Sequence, residues 1–230
     1  ISVSTCRGYV KALLAKLDRM RRDADARGVM EGIDGFNQQA VDLMLKNSAA
    51  AFDLSNEHPR TVERYGSGLG ATMLTARRLC EAGCGFVTVS YGDWDSHSQI
   101  KSAYEKRGPQ VDHALATFIQ DVYERGLDKK ILLVLTGEFG RTPRLNDKGG
   151  RDHWGSLSPL MFSGGGLRVG QVIGEATANG EEPRTNPYTI PDLMGTVFQH
   201  LDIPFDLHYD DPNGRPIPLL ADARPIPELF

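Results

Sequence analysis

The chain has 230 residues, of which 40% are hydrophobic and 24% charged, and it carries a formal net charge of −4. That is the composition of a globular protein, long enough for one ordinary domain or a large piece of a bigger one. No block of basic residues marks a nucleic-acid partner, and no apolar run approaches the roughly 18 residues that a membrane span requires.

Taken in chain order, Val10, Leu13, Leu14 and Leu17 recur at helical spacing, which predicts a helix over Val10–Arg22. A second helix is expected over Phe36–Leu45, and loop signals gather at Asn56–Pro59. Leu69, Met73, Ala76, Leu79 and Cys80 make one side of a helix over Leu69–Ala82, stopped by Gly83. Phe86–Tyr91 is short, β-branched and aromatic, and reads as a strand. A polar, irregular stretch, Asp93–Ser98, comes next. The periodicity of Val111, Leu115, Phe118, Ile119 and Val122 predicts a helix over Val111–Arg125. Ile131–Leu135 is apolar throughout, as expected of a strand covered on both faces. Leu157–Phe162 and Val169–Ile173 are candidate third and fourth strands. Thr189 is placed to cap a helix reaching about Leu201, and the remaining tail is rich in proline and turns. Cys6, Cys80 and Cys84 are odd in number and lack metal-ribbon spacing.

Phe86 to Leu135 thus reads as strand, helix, strand, which in one sheet is a parallel, right-handed unit. The loops after both strands then leave from the same sheet edge, where ligands of open α/β sheets bind. Asp93, Asp95, His97, Glu138 and Arg141 come to share that rim, and the loop Arg151–Trp154 can fold back over it with Asp152 and His153. Carboxylates and neutral imidazoles in one place suit a divalent ion such as zinc or manganese, which can polarise a phosphate or sulfate oxygen. Arg141 could clamp an anionic oxygen. Each residue also has an ordinary explanation. His97 could form a surface ion pair, Glu138 could pair with Arg141, and one of Asp93 and Asp95 could make an Asx turn. Asp152 could serve only to orient His153.

These residues lie in motifs that resemble a known family. ARRLCEAG (Ala76–Gly83), FVTVSYGDWDSHS (Phe86–Ser98), GEFGRTP (Gly137–Pro143), GRDHW (Gly150–Trp154), GLRVGQVIG (Gly166–Gly174) and PIPELF (Pro225–Phe230) resemble the C-terminal half of the bacterial family known as domain of unknown function 1501. Members are usually exported and related to alkaline phosphatases and sulfatases. The resemblance therefore implies an α/β fold of three layers, α/β/α, with a mostly parallel sheet, N-terminally truncated. It implies a single alkaline-phosphatase-like domain over residues 1–230, with a helical region over 1–60 and a turn-rich tail over 205–230.

In that superfamily a strand ends in a metal-binding Thr-x-Asp-His-Gly or Thr-x-Asp-Asn-Gly motif, and Thr136–Gly140 occupies the pattern. Glu138 stands for the aspartate and Phe139 for the second ligand, which favours one metal ion over two. Asp93 and His97 match an Asp-x-x-x-His element, and His153 matches a later histidine. The implied ligands are Asp93, Asp95, His97, Glu138 and His153, around one divalent ion (zinc, calcium, magnesium or manganese). Arg141 and Asp152 take catalytic roles. The implied activity is a metal-dependent hydrolase of sulfate or phosphate esters, on a small or polysaccharide anionic ester in an exported or periplasmic setting. The superfamily nucleophile has no convincing equivalent in residues 1–60. Either it lies upstream of Ile1, or the protein is not a hydrolase, and the alternative is a non-catalytic exported binding or scaffold protein with a degenerate site.

Overall fold

The computed structural model describes residues 48–185 and 187–230. The helices expected over Val10–Arg22 and Phe36–Leu45 lie outside the described residues. The chain divides into two units, Ile1–Asp53 and Leu54–Phe230. Of the first, only a short helix, α1 (Ser48–Phe52), and Asp53 are described.

In the second unit, α2 (Pro59–Tyr65), α3 (Leu69–Glu81) and α4 (Ile100–Glu124) pack on one another. Pro59 opens α2, where its missing N–H costs nothing, and His58 Nδ1 accepts from the Arg60 amide. The turn from α2 into α3 is tight enough to require glycine at position 70. A Cβ there would lie 1.8 Å from the carbonyl oxygen of Tyr65. The helix stripes supply the core: Tyr65, Met73, Leu74, Ala114, Phe118, Val122 and Ile131.

Within this apolar cluster sits a charged one. Arg77 and Asp121 are 1% and 2% exposed, so their charges have to be matched inside the protein. Asp121 accepts from Tyr65 Oη at 2.9 Å, Arg64 Nη2 at 2.9 Å and Arg125 Nε at 2.8 Å, with Arg77 Nε at 3.2 Å. Arg77 also pairs with Glu57 and Glu81. One acid thereby joins α2, α3 and α4.

Several expected elements hold. α3 ends one residue before the expected boundary, and α4 contains the stripe from Val111. α4 nevertheless starts at Ile100 and runs through Pro109, an interior proline that costs roughly 3 kcal/mol. β1 (Leu132–Leu135) lies inside the expected run. α5 (Ile190–His200) has the expected cap as a full capping box: Thr189 N and Oγ1 donate to Asp192 Oδ2 at 2.8 and 2.7 Å.

The sheet does not hold. β1 pairs antiparallel with β4 (Met161–Gly164), from Leu132 opposite Gly164 to Leu135 opposite Met161. The other ladders are also antiparallel and two-stranded. One joins β2 (Gly140–Arg141) to β3 (His153–Trp154), and one joins β5 (His208–Asp210) to β6 (Pro216–Pro218). The mostly parallel, three-layer α/β/α sheet is therefore corrected: among the described residues there are only these ladders.

Phe86–Tyr91 explains the error. It keeps its period of two, with Val87, Val89 and Tyr91 half-buried, and Val89 packs on the helical core. It forms no strand, because alternation records which side chains face a core and not whether the backbone has a partner. Leu157–Phe162 is displaced toward Gly164, and Val169–Ile173 is not a strand; Val172 is fully solvent-facing. In the tail, Ile226 and Leu229 are buried, and the Ile226 amide donates to Thr196 Oγ1 at 3.0 Å. Cys80 and Cys84 are free thiols, and burial pushes that of Cys80 up. No helix among the described residues is long and apolar enough to cross a membrane.

Candidate metal centre

Two loops build the site by binding one another through their backbones. Gln99 N donates to Lys148 O, Ile100 N to Gly149 O, and Arg151 N to Ser96 O, at 3.0–3.1 Å. Their approach is close enough to exclude a side chain at Gly150, where a Cβ would stand 2.0 Å from the carbonyl carbon of His97. The β2–β3 ladder supplies the second wall and places Arg141 directly opposite His153.

Asn146 locks this joint. Its Oδ1 accepts from the amides of Lys148 at 3.0 Å and Gly150 at 2.9 Å. Its Nδ2 donates to His97 O at 3.0 Å and Asp152 Oδ1 at 3.2 Å. All four hydrogen-bonding positions of the amide are used.

At the joint, Asp95, His97 and His153 each offer a ligand atom, all within 4.8 Å of one another. Asp95 Oδ1 is 2.9 Å from His97 Nε2 and 2.9 Å from His153 Nε2, and the two nitrogens are 3.2 Å apart. His97 Nδ1 lies 2.6 Å from Asp152 Oδ1. That bond selects the tautomer with its proton on Nδ1, so the Nε2 lone pair faces the other two atoms. With both imidazoles neutral, one lone-pair contact remains even if His153 Nε2 donates, between His97 Nε2 and Asp95 Oδ1.

A cation resolves that contact, and the triangle has the right size. Ligands about 2.1 Å from an ion are about 3.0 Å apart at right angles and about 3.4 Å apart in a tetrahedron. Two imidazoles and one carboxylate form a three-ligand set that leaves positions open, and it suits zinc or manganese. The three side chains are 62%, 45% and 51% exposed, so the open positions face solvent.

Other groups tune the triad. Arg141 Nη2 is 2.6 Å from Asp95 Oδ1. The hydrogen bond from His153, then that from Arg141, pulls the Asp95 carboxyl down to about 2. Asp152 is lowered by its bonds from His97 and Asn146. The Phe139 ring lies against that of His153, centroids 4.3 Å apart, and the Arg141 guanidinium stands 5.8 Å from the Phe139 centroid.

Of the expected site residues, Asp95, His97, His153, Arg141 and Asp152 therefore come together. Asp152 orients His97, not His153. Asp93 lies apart, with φ of 69° and an ion pair to Arg107 at 3.3 Å. Glu138 is exposed in the loop between β1 and β2 and is not one of the clustered ligands. Asn146 and Gly150 were not anticipated. The run Asn146–Gly150 signals a turn in sequence, but nothing local shows that the turn grips His97, about fifty residues earlier.

The family pattern described as "Protein of unknown function (DUF1501)" matches residues 6–230. The chain belongs to this family. No curated protein and no solved structure matches the chain. Within this DUF1501 chain, two of the motifs that carried the resemblance, GDWDSH and GRDHW, supply all three atoms of the triad.

Proposed function

We propose that this DUF1501 protein is a divalent-metal-dependent hydrolase of phosphate or sulfate esters, with Asp95, His97 and His153 as the metal ligands. The convergence of these three ligand atoms on an exposed face carries the proposal. The substrate class comes from Arg141, a planar cation beside the ligands, and from the resemblance of His97 and His153 to histidine ligands of alkaline phosphatases and sulfatases. The proposal draws on site chemistry and not on the parallel sheet of that superfamily. An exported setting rests on the same resemblance.

A divalent ion held here supplies Lewis-acid polarisation of an ester oxygen. The protein's own groups do the rest. Asp152 keeps the His97 ring oriented with Nε2 free of a proton, as carboxylates behind metal-binding histidines do. Phe139 backs the His153 ring. Arg141 offers its fork to an oxyanion at the same opening.

The test is turnover of aryl phosphates and aryl sulfates by the purified chain, supplied in turn with zinc, manganese, magnesium and calcium. Activity is expected to vanish with a chelator and return with one of these ions. A protein that binds no divalent ion would overturn the proposal. A protein that binds the ion but turns over no ester would be a binding module instead. One contact favours that second reading: Arg141 is already engaged by Asp95.

Asp152→Ala is expected to lower metal affinity about 10–100-fold, the usual effect of removing a carboxylate behind a ligating histidine. Titration calorimetry checks this, with unchanged far-UV circular dichroism as the control for folding.

A further inference from the structure

A cleft of about 510 Å3 opens beside the triad and shares Asp95 and His97 with it. One wall is the loop from Asp93 to Gln99. The other is the first turns of α4, where Ser102 and Lys106, and Ala103 and Arg107, stack four residues apart on one face. The lining has no apolar side chain larger than that of Ala103. Its hydroxyls come from Ser96, Ser98 and Ser102. Such a surface offers more hydrogen-bonding groups than apolar area, which favours a polyol over an aryl or alkyl group.

The charges of the cleft are unevenly matched. Asp95 is held by Arg141, and Asp93 by Arg107. Lys106 lines the cleft and is in no ion pair among the described residues. Its ammonium is thus the cation of the lining that no carboxylate holds.

We propose that this cleft is the subsite for the alcohol part of the ester. It selects a polyhydroxylated alcohol, such as a sugar unit, that carries a second phosphate or sulfate, bound by Lys106. The proposal rests on the hydrolase reading for the position of the first ester group.

The test is titration calorimetry on the full chain, with and without zinc, using glucose 1-phosphate and glucose 1,6-bisphosphate. The bisphosphate is expected to bind about two- to fivefold more tightly, the scale of one exposed ion pair. Lys106→Ala is expected to bring the ratio of the two affinities close to one, and Lys106→Glu to invert it. Equal affinities in the unmodified protein, no binding of either probe, or a preference that survives Lys106→Glu would each overturn the subsite. Zinc binding is measured separately. Bound zinc without a bisphosphate preference overturns the subsite alone. A Lys106-dependent preference in a protein that binds none of zinc, manganese, magnesium and calcium overturns the hydrolase reading alone.

Discussion

Replacing His153 by alanine is expected to lower divalent-metal affinity by more than about 100-fold, beyond the range for groups behind the ligands. The substitution leaves two of three ligand atoms and also removes the ring against which Phe139 packs. His97→Ala should do the same, since its Nε2 is an equal corner of the triangle. His113→Ala is the control: that histidine is exposed on α4 and is not one of the clustered ligands. Elemental analysis after dialysis against zinc, with titration calorimetry, separates these outcomes. Zinc at full stoichiometry in both His97→Ala and His153→Ala would remove the metal assignment.

The second large effect lies away from the site. Asp121→Ala is expected to cost about 3–5 kcal/mol, the penalty for removing one partner of a buried ion pair. Asp121 is the common acceptor for Tyr65, Arg64 and Arg125 and the close neighbour of Arg77, whose charge is 1% exposed. Without it, part of the Arg77 guanidinium is buried without compensation. Urea unfolding followed by circular dichroism measures the loss; a change below about 1 kcal/mol would show that Glu57 and Glu81 suffice.

The same network makes stability depend on acid. Glu57 is held down to about 2 against the opposing effect of burial, chiefly by its bond from Arg77. A free glutamate titrates near 4.3. Its contribution is therefore complete above about pH 4.3 and is lost as the pH falls towards 2.

The helices and the site were legible in the sequence to different degrees, and for different reasons. α3, the second half of α4 and α5 declared themselves because a buried stripe and a cap are local properties. The first part of α4 did not, because Gly108-Pro109 imitates a boundary. The strand partners could not be read at all. Ile131–Leu135 and Phe86–Tyr91 both show the apolar pattern of a strand, yet only the first contributes one, and its partner is β4. The ligand cluster was placed together by way of a parallel unit that does not exist. His97 and His153 meet because Asn146 and three backbone bonds pin their loops, not because two strands end at one rim. Glu138, chosen because it follows β1, is left outside the cluster for the same reason.

That pinning has a consequence for motion. The amides of Gln99, Ile100 and Arg151 are all protected by one pair of loops, so breaking the joint exposes them together. Their hydrogen exchange should therefore share one opening free energy, lower than that of the α4 amides beside Phe118 and Val122. An ion bound between the loops would slow all three in step and leave the helical core at its own pace.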